Sequence, residues 1–218
     1  SLFDFPCHPE VLWEHNTQIS ADYVGYLRQE VEAATGAPCI FFSGALGGMM
    51  TPDVKEHSLA EAERIGLALA KAGLDALGNA AGVPVTEIRV QKHMVSVKLT
   101  NILYKFAFRR KLLPDVRDPN GRITSEVNLI KIGPAWFVTI PGELLPKLGL
   151  ALKEKMKAAG ALVPGVICLA NDELGYILPA EDFHFPLNPF KPGKHYEETN
   201  SISKAIGPAV MQAVQNLL

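Results

Sequence analysis

Five side chains in this 218-residue sequence could carry chemistry: His8, Thr51, Glu143, Tyr176 and Tyr196. Glu143 follows the apolar run Trp136–Ile140, where a carboxylate is costly to bury unless it is paired, hydrogen-bonded or bound to a metal. It can equally be an acid at a helix start, favoured there by the macrodipole. Thr51 ends the glycine-rich stretch Gly44 to Pro52, whose amides could cradle an anion. Its hydroxyl could instead serve as a nucleophile if a base or metal activates it, or it is simply a turn residue before Pro52. The stretch lacks the lysine of a P-loop, so nucleotide binding has little support. His8 lies between Pro6 and Pro9 and is either a capped, solvated residue or a metal ligand. His57 and His195 fall at loops or helix starts, and no two histidines form a helical metal-binding pair. Tyr176 reads as a core phenol with a bonded hydroxyl, Tyr196 as an anchor for the last helix, and Asn171 and Asp172 as turn residues.

These residues need elements to place them. Ser20 to Thr35 predicts a helix with Ser20 as N-cap, Asp22 and Glu30 on its polar face, Val24, Leu27 and Val31 on its apolar face, and Gly36 beyond its end. Cys39 to Phe42 reads as a buried strand, and the glycine loop leads from it into a helix from Ser58, where Glu61 completes a capping box. Ile65, Leu69 and Leu77 form that helix's stripe. Val85 to Leu99 predicts one or two strands, while Lys105 to Leu113, basic and aromatic, fits helix or strand. Asp118–Gly121 is a turn, and Ser125–Ile132 with Ala135–Ile140 form a hairpin about Gly133–Pro134. A helix from Leu144 to Ala159, a strand from Val163 to Ala170, a proline-rich loop from Phe185 to Gly193 and a last helix from Tyr196 to Leu218, bent at Gly207–Pro208, complete the chain. The fold class is therefore α/β, a layered mixed sheet with flanking helices, in one domain spanning residues 1–218. In such sheets ligands gather beyond the carboxyl ends of strands, where Thr51, Glu143 and the Asn171–Tyr176 turn all fall.

Composition narrows the function. A hydrophobic fraction of 48%, 20% charged residues and mean hydropathy +0.11 describe a chain with a core, not a disordered one. A net charge of −2 and pI near 6.3, with no basic run beyond Arg109, Arg110 and Lys111, give no footprint for nucleic acid. No apolar run reaches the roughly 18 residues of a membrane span. Three cysteines, Cys7, Cys39 and Cys168, two of them in strand-like stretches, suggest buried thiols and lean toward a reducing, cytoplasmic compartment.

Taken in order, five motifs resemble those of the neutral/alkaline, non-lysosomal ceramidase family, in the later part of its catalytic domain. They are His8-Pro9 followed by Ile19 to Tyr26; Gly48 to Pro52; Ile140 to Glu143; Leu169 to Ile177; and Tyr196 to Ser201. The resemblance covers nearly the whole chain, and the Pro-Gly-Glu turn ending at Glu143 is its most specific part. It implies zinc-dependent hydrolysis of the amide of an N-acyl sphingoid base or related lipid-like N-acyl substrate. His8, Glu143 and Tyr176 would then be metal ligands and Tyr196 a stabiliser of the developing oxyanion. Thr51 would stand where the amide approaches, and the zinc would polarise the carbonyl and lower the pKa of a water. Phe106–Leu113 and Phe183–Phe190 would wall an apolar groove.

The sequence departs from the family pattern in two places. Thr51 replaces a serine, its extra methyl restricting the rotamer, and Met49 and Met50 replace an aspartate-bearing pair. The family's fourth ligand, in an upstream His-x-His segment, precedes the first residue here, so the chain reads as a fragment inactive by itself. Two alternatives stand beside this reading: a noncatalytic ligand- or partner-binding domain on the same scaffold, and a hydrolase of a small polar amide or ester.

Overall fold

A computed structural model describes residues 1–14, 16–183 and 195–218. The chain divides into two compact units. Unit 1 comprises Ser1–Gly44 and Met49–Val83, and unit 2 comprises Ala45–Gly48 and Pro84–Leu218. The expected proline-rich loop lies outside the described residues.

Unit 1 pairs β1 (Leu2–Phe5), in parallel, with β2 (Ile40–Ser43), which follows α1 (Asp22–Thr35); α2 (Leu59–Gly78) comes next. The helices approach closely at Gly66, where a Cβ would stand 2.5 Å from the Tyr23 carbonyl oxygen. Tyr23, Leu27, Val31, Ala62 and Ala70 are buried there, and Gly36 ends α1 in the left-handed conformation as expected. Three local expectations are corrected. Asp22 is buried, because its carboxylate accepts the N–H groups of Leu12 (3.0 Å) and Tyr23 (2.7 Å) and ties the preceding loop to the helix. Ser58 caps α2 by accepting the Glu61 N–H at 3.1 Å, but the Glu61 carboxylate turns to the Lys55 N–H and to Arg64, so only half of a capping box forms. Leu77 is exposed, and the packed face of α2 ends at Leu74. The β2 strand is half-exposed because its sheet has two strands only.

The bonds from Arg64 and the Lys55 amide hold the Glu61 carboxyl at about 2, below its ordinary 4.5. Such a group contributes stability above its unfolded pKa and loses it as pH falls through the folded value. Glu61→Gln is therefore expected to leave stability less dependent on pH between 4.5 and 2, as read by denaturant unfolding at both ends of that window.

Unit 2 is built on a four-stranded sheet ordered β3 (Ile88–Lys98), β4 (Arg122–Ile132), β5 (Ala135–Thr139) and β7 (Val163–Ile167). The first three strands are antiparallel and β7 joins β5 in parallel, giving the mixed sheet. Between β3 and β4 lies α3 (Ile102–Arg109), which makes helix of the basic aromatic segment as far as Arg109 and leaves residues 110–113 in the turn beyond it. A second, two-residue parallel pair is formed by β6 (Glu143–Leu144) and β8 (Tyr176–Ile177). The helix α4 (Pro146–Ala158), with Pro146 in its first turn, packs on β7, and α6 (Ile206–Leu217) packs on β3, β4 and α4. Leu129, Val138, Leu152, Met156, Val166 and Val210 fill the core without exposure.

Two expectations fail in this unit. Glu143 belongs to β6 and not to the first turn of a helix, which removes the macrodipole explanation for it. The last helix is broken at Asn200–Ala205, leaving α5 (Tyr196–Thr199) separate from α6. The break falls there because Asn200 gives its carbonyl to the Tyr176 N–H and Ser201 bridges to Gly175. Gly207 and Pro208 sit in the first turn of α6, where proline is tolerated. Cys39 and Cys168 are buried and Cys7 half-buried, as the sequence suggested for two of the three.

Candidate functional site

Backbone layers meet without room for side chains around β6 and β8. The Glu143 N–H donates to Gly175 O at 3.1 Å, and the Tyr176 N–H to Asn200 O at 3.0 Å. Gly47 donates its N–H to Leu144 O at 2.8 Å, and a Cβ on Gly47 would stand 2.6 Å from Glu143 O. The half of the glycine loop that belongs to unit 2 thus lies flat on the Glu143 backbone.

Within that frame Glu143 and Tyr176 are register partners, and a parallel in-register pair projects its side chains from one face. Burial pushes the Tyr176 phenol up, as do the charge on Glu143, the neighbouring Tyr196, the hydrogen bond to Glu143 and the charge on Glu197. The phenol is protonated at neutral pH and donates to the Glu143 carboxylate. The Tyr196 ring stands edge-on to Tyr176, centroids 5.7 Å apart at 65°, and is itself half-exposed. Three of the expected site residues, Glu143, Tyr176 and Tyr196, therefore meet.

The other two lie in unit 1. His8, half-buried, donates its N–H to Met50 O at 2.8 Å, so the histidine segment runs against the loop carrying Thr51.

Several contributors escaped the sequence reading. Glu173, in the turn before Tyr176, accepts the Gly175 N–H at 2.7 Å. Its carboxyl is pushed up by the surrounding protein, then by the charges of Glu143 and Asp172. Tyr104 reaches back from α3, its hydroxyl 3.4 Å from Asn200 O, and burial and the charge on Glu173 raise its pKa. His195 Nδ1 lies 2.9 Å from the buried Glu198 carboxylate. The only signal for Glu173 was its place among the turn residues; Tyr104 gave none, since its partner is 96 residues away. Negative charge from Glu143, Glu173 and Glu197 thus converges on one phenol or its neighbours, a field that favours a cation.

Beside this cluster a pocket of about 240 Å³ is lined by Thr100, Asn101, Ile102, Phe183, Glu198 and Ser201, among others. The expected aromatic walls are met only in part. Phe108 packs in the core and Phe106 is on the surface, while Phe183 lines this pocket and residues 184–190 lie outside the described residues.

The mixed α/β sheet with flanking helices has the fold of the neutral ceramidases. The neutral ceramidase from Pseudomonas aeruginosa superposes with a TM-score of 0.64 at 16% identity, over 98% of this chain and 42% of that one. A ceramidase complexed with C2 gives a TM-score of 0.63 at 14% identity, over 98% of this chain and 43% of that one. The chain therefore spans about two fifths of each solved chain. No protein-family model and no curated protein sequence matches it. No helix among the described residues is long and apolar enough to cross a membrane.

Proposed function

We propose that this chain is part of a zinc-dependent amide hydrolase of ceramidase type, acting on an N-acyl sphingoid base or a related N-acyl substrate. The register pairing of Glu143 with Tyr176 inside a negatively charged cluster is the observation that supports it most. Among the described residues no three of His, Cys, Asp and Glu group as a metal site would require. A centre here would count the Tyr176 phenol oxygen as a ligand beside the Glu143 carboxylate. Carboxylate and phenol oxygens are hard donors that suit Zn²⁺ beside an imidazole, so the residues fit the ion.

Glu143 and Tyr176 would hold the metal, with an imidazole as a further ligand. Zn²⁺ bound there supplies Lewis-acid polarisation of an amide carbonyl and a lowered pKa for a nearby water. Tyr196 directs its hydroxyl to the oxygen on which charge develops. Glu173 and Tyr104 fix the backbone that carries Tyr176.

The test uses the full-length protein, assayed against a panel of long-chain and short-chain N-acyl amides before and after chelation. Turnover lost on chelation and restored by zinc is expected. Tyr196→Phe should lower kcat by about 10²–10³-fold with zinc content unchanged. Absence of turnover together with a ligand-induced melting shift would instead support the second reading, a noncatalytic binding domain, which Thr51 in place of serine favours. Turnover of short acyl substrates alone would move the substrate class to small amides or esters.

A further inference from the structure

The outer face of α3 and the turn after it combine exposed apolar side chains with cations. Ile102, Leu103 and Phe106 are 59%, 51% and 53% exposed, and Leu112 and Leu113 beyond the helix are 70% and 43% exposed. Lys105, Arg109, Arg110 and Lys111 are interleaved with them, and no Asp or Glu occurs between Asn101 and Pro114 in a chain whose net charge is −2. The Arg110 guanidinium lies 5.3 Å from the centroid of the Phe106 ring, keeping charge and apolar surface on the same patch.

The patch is rigidly mounted. Asn101 accepts the Leu103 N–H at 2.8 Å, and its amide donates to Thr199 O and Ser201 O at 2.8 and 2.7 Å. Phe108, on the inner face, is buried.

From this juxtaposition of exposed apolar side chains with four cations, in a segment without an acidic residue, we infer that α3 and Lys111–Leu113 dock on an anionic lipid bilayer. Apolar side chains that reach the acyl boundary and cations that meet the headgroups are the two components of interfacial binding. A second copy of the chain fits poorly, since two such patches would oppose like charges. Nucleic acid fits poorly as well, because Ile102, Leu103, Leu112 and Leu113 offer neither stacking faces nor hydrogen bonds to bases. The position also has a consequence. Tyr104, on the inner side of the same helix, reaches the Gly175–Asn200 backbone, and Ile102 lines the neighbouring pocket, so a docked bilayer would lie against the pocket wall. The inference goes beyond the amide-hydrolase reading and stands whether or not the protein turns over an amide.

Flotation with phosphatidylcholine vesicles, with and without phosphatidylglycerol, tests it. The full-length protein should partition at least about tenfold more strongly onto the anionic vesicles, with the difference shrinking as salt is raised. Lys105→Gln with Arg109→Gln should weaken partitioning about 25-fold, roughly fivefold for each cation removed. Phe106→Ser with Leu112→Ser should weaken it tenfold or more. Both pairs should leave the unfolding midpoint unchanged, since all four side chains are exposed. No binding to anionic vesicles, or binding by both double variants as strong as that of the wild type, would overturn the inference. Retention on duplex DNA without flotation would overturn it too, in favour of a polyanion site.

Discussion

Glu143→Gln is expected to weaken zinc binding about a hundredfold and to reduce amide turnover of the full-length protein by at least about a hundredfold, with the fold preserved. Glutamine keeps the volume of the side chain and an acceptor for the Tyr176 hydroxyl, and the β6–β8 backbone pairing does not depend on the side chain. What is lost is the negative charge at the centre of the cluster. Two measurements check it: zinc content by mass spectrometry, and the rise in melting temperature on adding zinc. At zinc a hundredfold above its dissociation constant the wild type gains about 2.7 kcal/mol, while a variant binding a hundredfold more weakly keeps only ~0.4 kcal/mol. Equal zinc content and equal melting shifts in the two proteins would remove Glu143 from the metal.

The largest loss of stability is expected from Gly175→Ala. Gly175 has φ +80°, and a Cβ there would stand 2.0 Å from Asn200 O. The contact is with backbone, which cannot step aside without breaking the bond from Tyr176 N–H to Asn200 O and the bridge to Ser201. Left-handed backbone at a residue with a Cβ costs about 1–2 kcal/mol and overpacking about 1–3 kcal/mol more. A loss of roughly 2–5 kcal/mol follows, which lowers the melting temperature of a chain of this size by roughly 5–15 °C. Gly82→Ala is the control, because a Cβ added there would meet no atom within 4 Å. If the two variants melt alike, the close approach at Gly175 is not what holds the β6–β8 frame.

The order of strands and helices was legible because most elements are long enough to display a period. The β3–β4–β5 meander announced itself through alternating side chains and the turns at Asp118–Gly121 and Gly133–Pro134. Glu143 stood out as a carboxylate after an apolar run and Tyr176 read as a core phenol, yet their pairing was not legible, since strands of two residues show no periodicity. Asp22 read as surface because its partner, the Leu12 amide, belongs to a segment without pattern. The apolar spacing continues from Tyr196 to Leu217, and only the long-range demand of Gly175 and Tyr176 for Asn200 and Ser201 interrupts it. Tyr104 was hidden for the same reason: local sequence carries no trace of a contact made across the fold.

Gly47, Gly142 and Gly175 share one property, that a methyl on any of them would collide with main-chain oxygen. The socket for positions 143 and 176 is consequently moulded by atoms common to all amino acids, and its shape is indifferent to which side chains it presents. Reaction chemistry can then drift by single replacements at those two positions while the mould persists, so catalysts and silent binders alike could descend from one ancestral backbone.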